Sequence, residues 1–479
     1  METTAKVESP QSNPIKQNTV LIIKLVIGLA VSLLIATAQP PQGLTVAAMR
    51  FLGIFFCIVY MLILRVIPDT AVALIMCAAC VVFNVTKQTV AFSQFSGDTY
   101  FMILGAMGIG AAVAKSGLLK RISWKIMTLF PGTYKGQVLA FLTTGTLVAP
   151  FIPSTTAKMM IAAPFGRAVA ENLGLNKESQ GAAGIFSTIW IAFGNAAPLF
   201  LSASVWCYTL KGLLPQDIAA AFTWGRWFVV AAPWGIVTLL LTYFVYTKIF
   251  KDDSTVQLPK GFAKEQSAAL GKMTIPEIIT SLILFICILL WVTERTTGIA
   301  ASMVAMIAFG ILFALKVIGK DEIKNSIAWE TLIFIAAILS IATMFGQLGI
   351  DKWLSTLIGP YVAPFTKNPF IFITAISIFI YLVRFVIIST MTCFTVFSMI
   401  LMPFAVNAGY NPFIVPFTIL AAMQVWNVLY QNAIFIGVLA ASGPMCEHKN
   451  TVKGSIAYMI ISLIGLLVSV PFWKLMGLL

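Results

Sequence analysis

Charge is what this chain lacks. Of its 479 residues, 10% are Asp, Glu, Lys or Arg and 59% are apolar, whereas an ordinary soluble domain carries roughly 25% charged residues. That balance excludes a soluble globular enzyme, a disordered chain and a coiled coil. Histidine is nearly absent: His448 stands alone, in a basic loop beside Glu447, where it reads as part of a solvated face. The apolar runs hold no internal Asp or Glu. An intramembrane enzyme would therefore lack paired carboxylates, a metal-ligand set and a base for a nucleophile. No Walker-type phosphate loop occurs, which argues against a primary pump. The seven cysteines (Cys57, Cys77, Cys80, Cys207, Cys287, Cys393 and Cys446) lie mostly within apolar runs. They form neither a disulfide framework nor a metal cluster and read as small buried apolar residues.

What is present is a series of continuous apolar runs about 20 residues long, the length that crosses a bilayer as a helix. The weak period-2 alternation of a membrane barrel is missing. The expected fold class is an all-α polytopic membrane protein with about eleven transmembrane helices and two re-entrant hairpins. The spans are expected at 19–38, 47–67, 70–85, 99–114, 181–210, 226–250, 275–292, 298–315, 331–345, 412–441 and 454–476. The hairpins are expected at 138–170, interrupted by Pro150, Pro153 and Pro164, and at the polar-interrupted segment 385–405, which follows the apolar segment 369–383. The polar start, Met1 to Asn18, has no small-residue cleavage site and reads as preceding a retained first helix.

Net charge is +14, with the basic residues spread along the chain. No basic domain exists, so nucleic acid is not an expected partner. The bias fits loops on the cytoplasmic side. With the N-terminus cytoplasmic, the segments 115–135, 167–177, 248–272 and 316–324, and Lys449 with Lys453, all fall inside. The expected location is therefore the cell (inner) membrane, multi-pass, with the C-terminus outside. Asp69, Asp98, Glu277, Glu294 and Glu330 read as interfacial, and Trp190, Trp206, Trp224, Trp227 and Trp234 as interface anchors.

The two halves repeat one plan. Asp98-Thr99 matches Glu330-Thr331. Gly117, Lys120 and Ser123 match Gly349, Lys352 and Ser355. Pro164 and Asn195 match Pro403 and Asn432. Each half has a segment broken by proline and hydroxyl residues, then a helix broken at an asparagine. With the orientation above, the first hairpin enters from inside and the second from outside, an inverted repeat of the kind found in secondary transporters. A hairpin tip exposes helix N-termini that attract anions, and its carbonyls and hydroxyls can hold a cation.

The run Pro153-Ser154-Thr155-Thr156-Ala157, closed by Pro164, resembles the P-S-N-T-A signature of the divalent anion:sodium symporters, the dicarboxylate and citrate transporters of the ion-transporter superfamily. Gly194-Asn195-Ala196-Ala197-Pro198 resembles that family's loop after the first hairpin. The likeness covers nearly the whole chain. It implies an elevator carrier, a homodimer in membrane lipid, whose scaffold is 1–135 and 275–368. The transport part is 136–250 and 369–479, and 251–274 is a cytoplasmic linker. It implies substrate contacts from Ser154, Thr155, Thr156, Lys158 and Asn195, and from Thr392, Cys393, Thr395 and Asn432. It implies sodium at Ser154, Thr155, Gly194 and Ala196, and no other cofactor.

The second motif departs from the family. By its spacing to Pro403 it falls on Cys393-Phe394-Thr395, with Ser389-Thr390-Met391-Thr392 as the competing register. Phe or Met cannot hydrogen-bond a carboxylate, and a thiol is a poor ligand for a hard cation. Lys158, directly after the first motif, stands where exchangers of the family carry a basic residue. It either replaces sodium as a fixed cation or snorkels to the interface. Its counterpart by that spacing is the apolar Phe397, and Arg384, near the second hairpin's start, is the candidate to supply the other charge. The expected function is secondary active transport of small di- or tricarboxylate anions, by exchange or by sodium-coupled symport. The alternatives are an anion channel or a carrier of an inorganic oxyanion such as sulfate.

Overall fold

The computed structural model describes residues 14–443 and 445–479. The polar residues 1–13, expected in the cytoplasm, lie outside the described residues. The described residues are mostly helical and include no strand. In the first half the main helices are α1 (Pro14–Thr37), α2 (Val46–Leu64), α3 (Asp69–Val82), α4 (Asp98–Ser116), α5 (Leu118–Met127), α6 (Tyr134–Val148), α7 (Thr155–Asn172), α8 (Gln180–Ile189), α9 (Val205–Leu213) and α10 (Trp224–Ile249). In the second they are α11 (Ile275–Val292), α12 (Ala301–Ala314), α13 (Trp329–Gln347), α14 (Ile350–Thr366), α15 (Pro369–Val383), α16 (Thr390–Asn407), α17 (Ile414–Ala422), α18 (Ala433–Ala441) and α19 (His448–Leu475).

Among the described residues, eight helices are long and apolar enough to cross a membrane, or nine if the bent pair α14–α15 is one span. Three further apolar helices are shorter, and the expected spans 181–210 and 412–441 are each broken in mid-course. The first break is a π-helical turn, Trp190–Asn195, followed by 3-10 turns at Ala197–Leu199 and Leu201–Ala203. Pro198 has no N–H to continue the ladder. The second break runs from Met423 to Asn432, whose side chain caps α18 by accepting Phe435 N–H at 3.3 Å. Both halves thus repeat the order of long helix, short amphipathic or bent helix, hairpin, broken helix, long helix.

The helices pack as two groups. In the first, α1 lies on α2, α3 on α13, and α4 on α12. The α4–α12 crossing is close because Gly105 has no side chain: a Cβ there would lie 2.6 Å from the Ala305 carbonyl carbon. In the second group, α10 packs on α19, α6 and α7 on α8, and α18 on α7. The buried aromatic core of this group includes Trp190, Trp227, Trp234, Trp426 and Trp473. Trp227 donates to Pro198 O at 2.9 Å, Trp234 to Ser462 Oγ at 3.1 Å and Trp473 to Val230 O at 2.9 Å. Trp190, Trp227 and Trp234 are therefore internal braces, not the interface anchors expected of them. Each is buried because its ring fills space between helices of one group.

The halves are also clamped outside the core. Arg121 on α5 makes a bidentate pair with Glu277 at the start of α11, Nε–Oε1 2.7 Å and Nη2–Oε2 3.1 Å, and also donates to Gly271 O at 2.8 Å. Glu277 closes a capping box with Thr274. That geometry adds direction as well as charge, and it fixes the end of the 251–274 linker against the first half.

Candidate substrate site

The first hairpin turns where Pro150 and Pro153 remove two N–H donors. α7 restarts at Ser154, whose Oγ accepts Ala157 N–H at 3.2 Å. Thr155 and Thr156 fill the first turn, where backbone N–H groups have no helical partner. The tip is sewn to the segment after the first break. Ser202 Oγ donates to Pro150 O at 2.8 Å and Val205 N to Pro153 O at 3.1 Å. Lys158 completes the seam. It is fully buried, and its Nζ donates to Ala203 O at 2.8 Å and Ala149 O at 3.4 Å. It does not snorkel, because its ammonium is held inside the hairpin by the Ala149 and Ala203 carbonyls.

The second hairpin restarts at Ser389, which caps α16 by accepting Thr392 N–H at 3.3 Å. Ser389 thus holds the place that Ser154 holds in the first hairpin, and the geometry places the tip at the competing register. Thr392 donates its hydroxyl to Ser389 Oγ at 2.9 Å. Cys393 and Thr395 lie one turn or more inside the helix, both buried, with Thr395 bonded back to Met391 O at 2.9 Å. Phe394 packs edge-on against Trp206, ring centroids 6.0 Å apart.

Arg384 is the residue that matches Lys158 in role. Its side chain is fully buried and held by carbonyls alone: Nε to Met423 O at 3.0 Å, Nη1 to Ile387 O and to Ile388 O at 2.8 Å, Nη2 to Gln431 O. It therefore ties the second tip to the second break. In tip-relative numbering Lys158 lies four after Ser154 and reaches Ala149, five before it. Arg384 lies five before Ser389 and reaches Met423 and Gln431 of the second break. The two hairpins bring a cation to equivalent places from exchanged chain positions.

The two breaks meet at Gln424, which the sequence did not mark. Asn195 Nδ2 donates to Gln424 O at 3.0 Å, and Asn432 Nδ2 to Gln424 Oε1 at 3.4 Å. A cleft of about 10 Å³ lies here, lined by Thr155, Trp190, Gly194, Asn195, Ser204 and Gln424. The structure thus gathers Thr155, Gly194 and Asn195 in one place, and sets Asn432 beside them through Gln424. His448 is half-buried with Nε2 2.9 Å from Trp426 O, and its ring meets Phe435. It props the second break and is not part of a solvated face.

Depth along the first group follows from three contacts. Thr70 Oγ1 donates to Glu330 O at 3.1 Å, so α3 and α13 begin level. Ser389 Oγ donates to Asp69 Oδ2 at 2.9 Å, which puts the second tip at that same end. Pro153 of the first tip lies against Gly110, in the far third of α4. At the opposite end, where α4 begins, a cavity of about 960 Å³ opens between the groups, lined by Asp98, Glu294, Lys352, Lys211, Pro403 and Asn407 among others.

Paired hairpins, broken helices and buried cations that have no carboxylate partner among the described residues define a membrane transporter of the re-entrant type. A family model described as "Sodium:sulfate symporter transmembrane region" matches residues 19–479, and the chain belongs to that family. Relatives include the putative malate transporter YflS of Bacillus subtilis, 27% identical over 73% of this chain and 75% of that protein. The chloroplastic dicarboxylate transporter 1 of Arabidopsis thaliana is 25% identical over 73% of this chain and 64% of that one. The inner membrane protein YbhI of Escherichia coli is 26% identical over 69% of this chain and 72% of that one. In fold, the chain is similar to the YdaH transporter of Alcanivorax borkumensis, TM-score 0.56 at 12% identity, covering 96% of this chain and 98% of that one.

Proposed function

We propose that this protein exchanges small organic dicarboxylates across the membrane. In this reading the group containing 136–250 and 369–479 slides as the transport part against a dimeric scaffold of 1–135 and 275–368, with inverted halves and a cytoplasmic N-terminus. The observation that carries exchange is the pair of buried cations. Among the described residues, neither Lys158 nor Arg384 has a carboxylate partner, and burying a charge without one is costly. A dianion held between the tips would supply the missing charge. Ser154, Thr155, Thr156 and Asn195 would serve one end, and Ser389, Thr392 and Asn432 the other. A carrier stabilised by its anion crosses best when loaded, which is exchange. The names of relatives that carry malate and dicarboxylates support the substrate class.

Sodium fits this pair of sites poorly. A Cβ on Gly194 would meet Met159 Sδ at 2.6 Å, so a thioether covers the loop where oxygen ligands are wanted. In the second half the tip falls on Ser389–Thr392, where Met391 brings another thioether and Arg384 supplies charge. The family description still names sodium and sulfate, and sodium-coupled symport, with the ion at Ser154, Thr155, Gly194 and Ala196, is the second reading. Proteoliposomes with and without internal succinate separate the two. Exchange predicts labelled succinate entry only into loaded vesicles, with no sodium dependence. Strong entry into empty vesicles under a sodium gradient would reject exchange, and uptake of sulfate but not succinate would reject the substrate class.

A further inference from the structure

The polar groups around the small cleft are unevenly used. Asn432 is oriented from its own helix: its Oδ1 accepts Phe435 N–H, so only its Nδ2 can face Gln424. Gln424 meets that donor with Oε1, which turns its Nε2 the other way. Among the described residues Nε2 has no hydrogen-bond partner, and Gln424 is half-buried at the wall of the cleft. The backbone of the same residue is pinned by Asn195. Trp190, on the same wall, is 1% exposed, and its indole N–H is buried without a partner. Indole nitrogen can only donate. The residues lining the cleft include no Asp, Glu or His. A space of about 10 Å³ takes about one oxygen-sized atom. The cleft is therefore one atom in size, and two residues of its wall carry unspent donors.

We propose that Gln424 determines specificity by donating from Nε2 to one carboxylate oxygen of the substrate, next to Thr155 at the first hairpin's tip. The inference rests on the reading that a carboxylate anion binds between the tips. It adds that the amide reading the substrate is the same one that joins the two breaks. Asn432 aims it and Asn195 holds its backbone, so the donor is set in place before substrate arrives, which spares the ordering cost of binding. A site built to donate to an oxygen rejects an analogue that presents N–H there, because two donors would face each other.

The test uses the full chain in proteoliposomes, with succinate and its monoamide, succinamate, as competing substrates for exchange. Gln424→Glu keeps an acceptor for Asn432 but puts an acceptor where Nε2 stood. We expect the KM for succinate to rise at least tenfold and the preference for succinate over succinamate to fall at least as much, with the melting temperature little changed. Gln424→Met, of equal length with no polar group, should lose the preference without gaining succinamate. A brace with no contact to substrate would alter both substrates alike. Unchanged discrimination in Gln424→Glu, in folded protein, overturns the proposal while the carboxylate site stands. If the wild-type protein exchanges and binds no dicarboxylate, the site reading fails and this inference falls with it.

Discussion

Ser389, the cap of the helix at the second hairpin's tip, donates a 2.9 Å hydrogen bond to the carboxylate of Asp69 at the start of α3. A carboxylate from the first group thus occupies the N-terminus of the helix proposed to receive a substrate carboxylate. A carboxylate at a helix N-terminus is worth about 1 kcal/mol, and here it competes for the place. Asp69→Ala should lower the KM for succinate by about fivefold, the equivalent of that energy. It should also speed aqueous labelling of a cysteine placed at 389. A KM that does not fall would leave Asp69 as a mere tether.

Lys158 donates to two carbonyls, Ala203 O and Ala149 O, the second of which also accepts Ile152 N–H. Lys158→Ala should reduce exchange at least tenfold. Hydrogen bonds to a charged group contribute about 1.5–3 kcal/mol each, set against the relief of a buried charge, so the variant should melt a few degrees lower yet still fold. Exchange at the wild-type rate in folded Lys158→Ala would remove the fixed-cation reading.

Arg384 reaches four carbonyls on three segments of chain, which a planar fork can do and a single ammonium cannot. Arg384→Lys keeps the charge and loses the reach. It should lose most exchange, and the second tip should become more susceptible to protease or hydrogen exchange. If charge alone mattered, Arg384→Lys would transport as the wild type does.

Gly145 on α6 lies against the first break: a Cβ there would sit 2.6 Å from Ala192 Cβ. Gly145→Ala should destabilise the protein by about 1–3 kcal/mol through overpacking. A thermal unfolding scan in detergent would register this as a lower midpoint. An unchanged midpoint would mean that α6 and the π-turn can move apart.

Much of this was legible from residue types. Pro150 and Pro153 located the first tip, because they break the backbone ladder wherever they fall. Asn195 and Asn432 marked the helix breaks. The second tip was placed one turn too far along by its distance to Pro403. Pro164 follows its cap by ten residues and Pro403 by fourteen. The difference of four is about one helical turn, so both prolines lie on similar faces and spacing alone misleads. Arg384 was legible as a second cation but not as the tie between tip and break, and Gln424 was not legible at all. Their bonds run to backbone carbonyls and amides of distant segments, which carry no residue-type signal. His448 and the buried tryptophans were misread for a related reason. A polar tip on an aromatic or imidazole ring is satisfied as well by a carbonyl inside the protein as by water or headgroups.

The exchanged origins of Lys158 and Arg384 have an electrical consequence. Moving one elementary charge through a membrane potential takes about 2.3 kcal/mol per 100 mV. A sliding part that carries both cations and no anion would do work against the voltage in one direction and be driven by it in the other. In the proposed exchange a dianion would cancel the two charges, and the voltage would not bias the direction of travel.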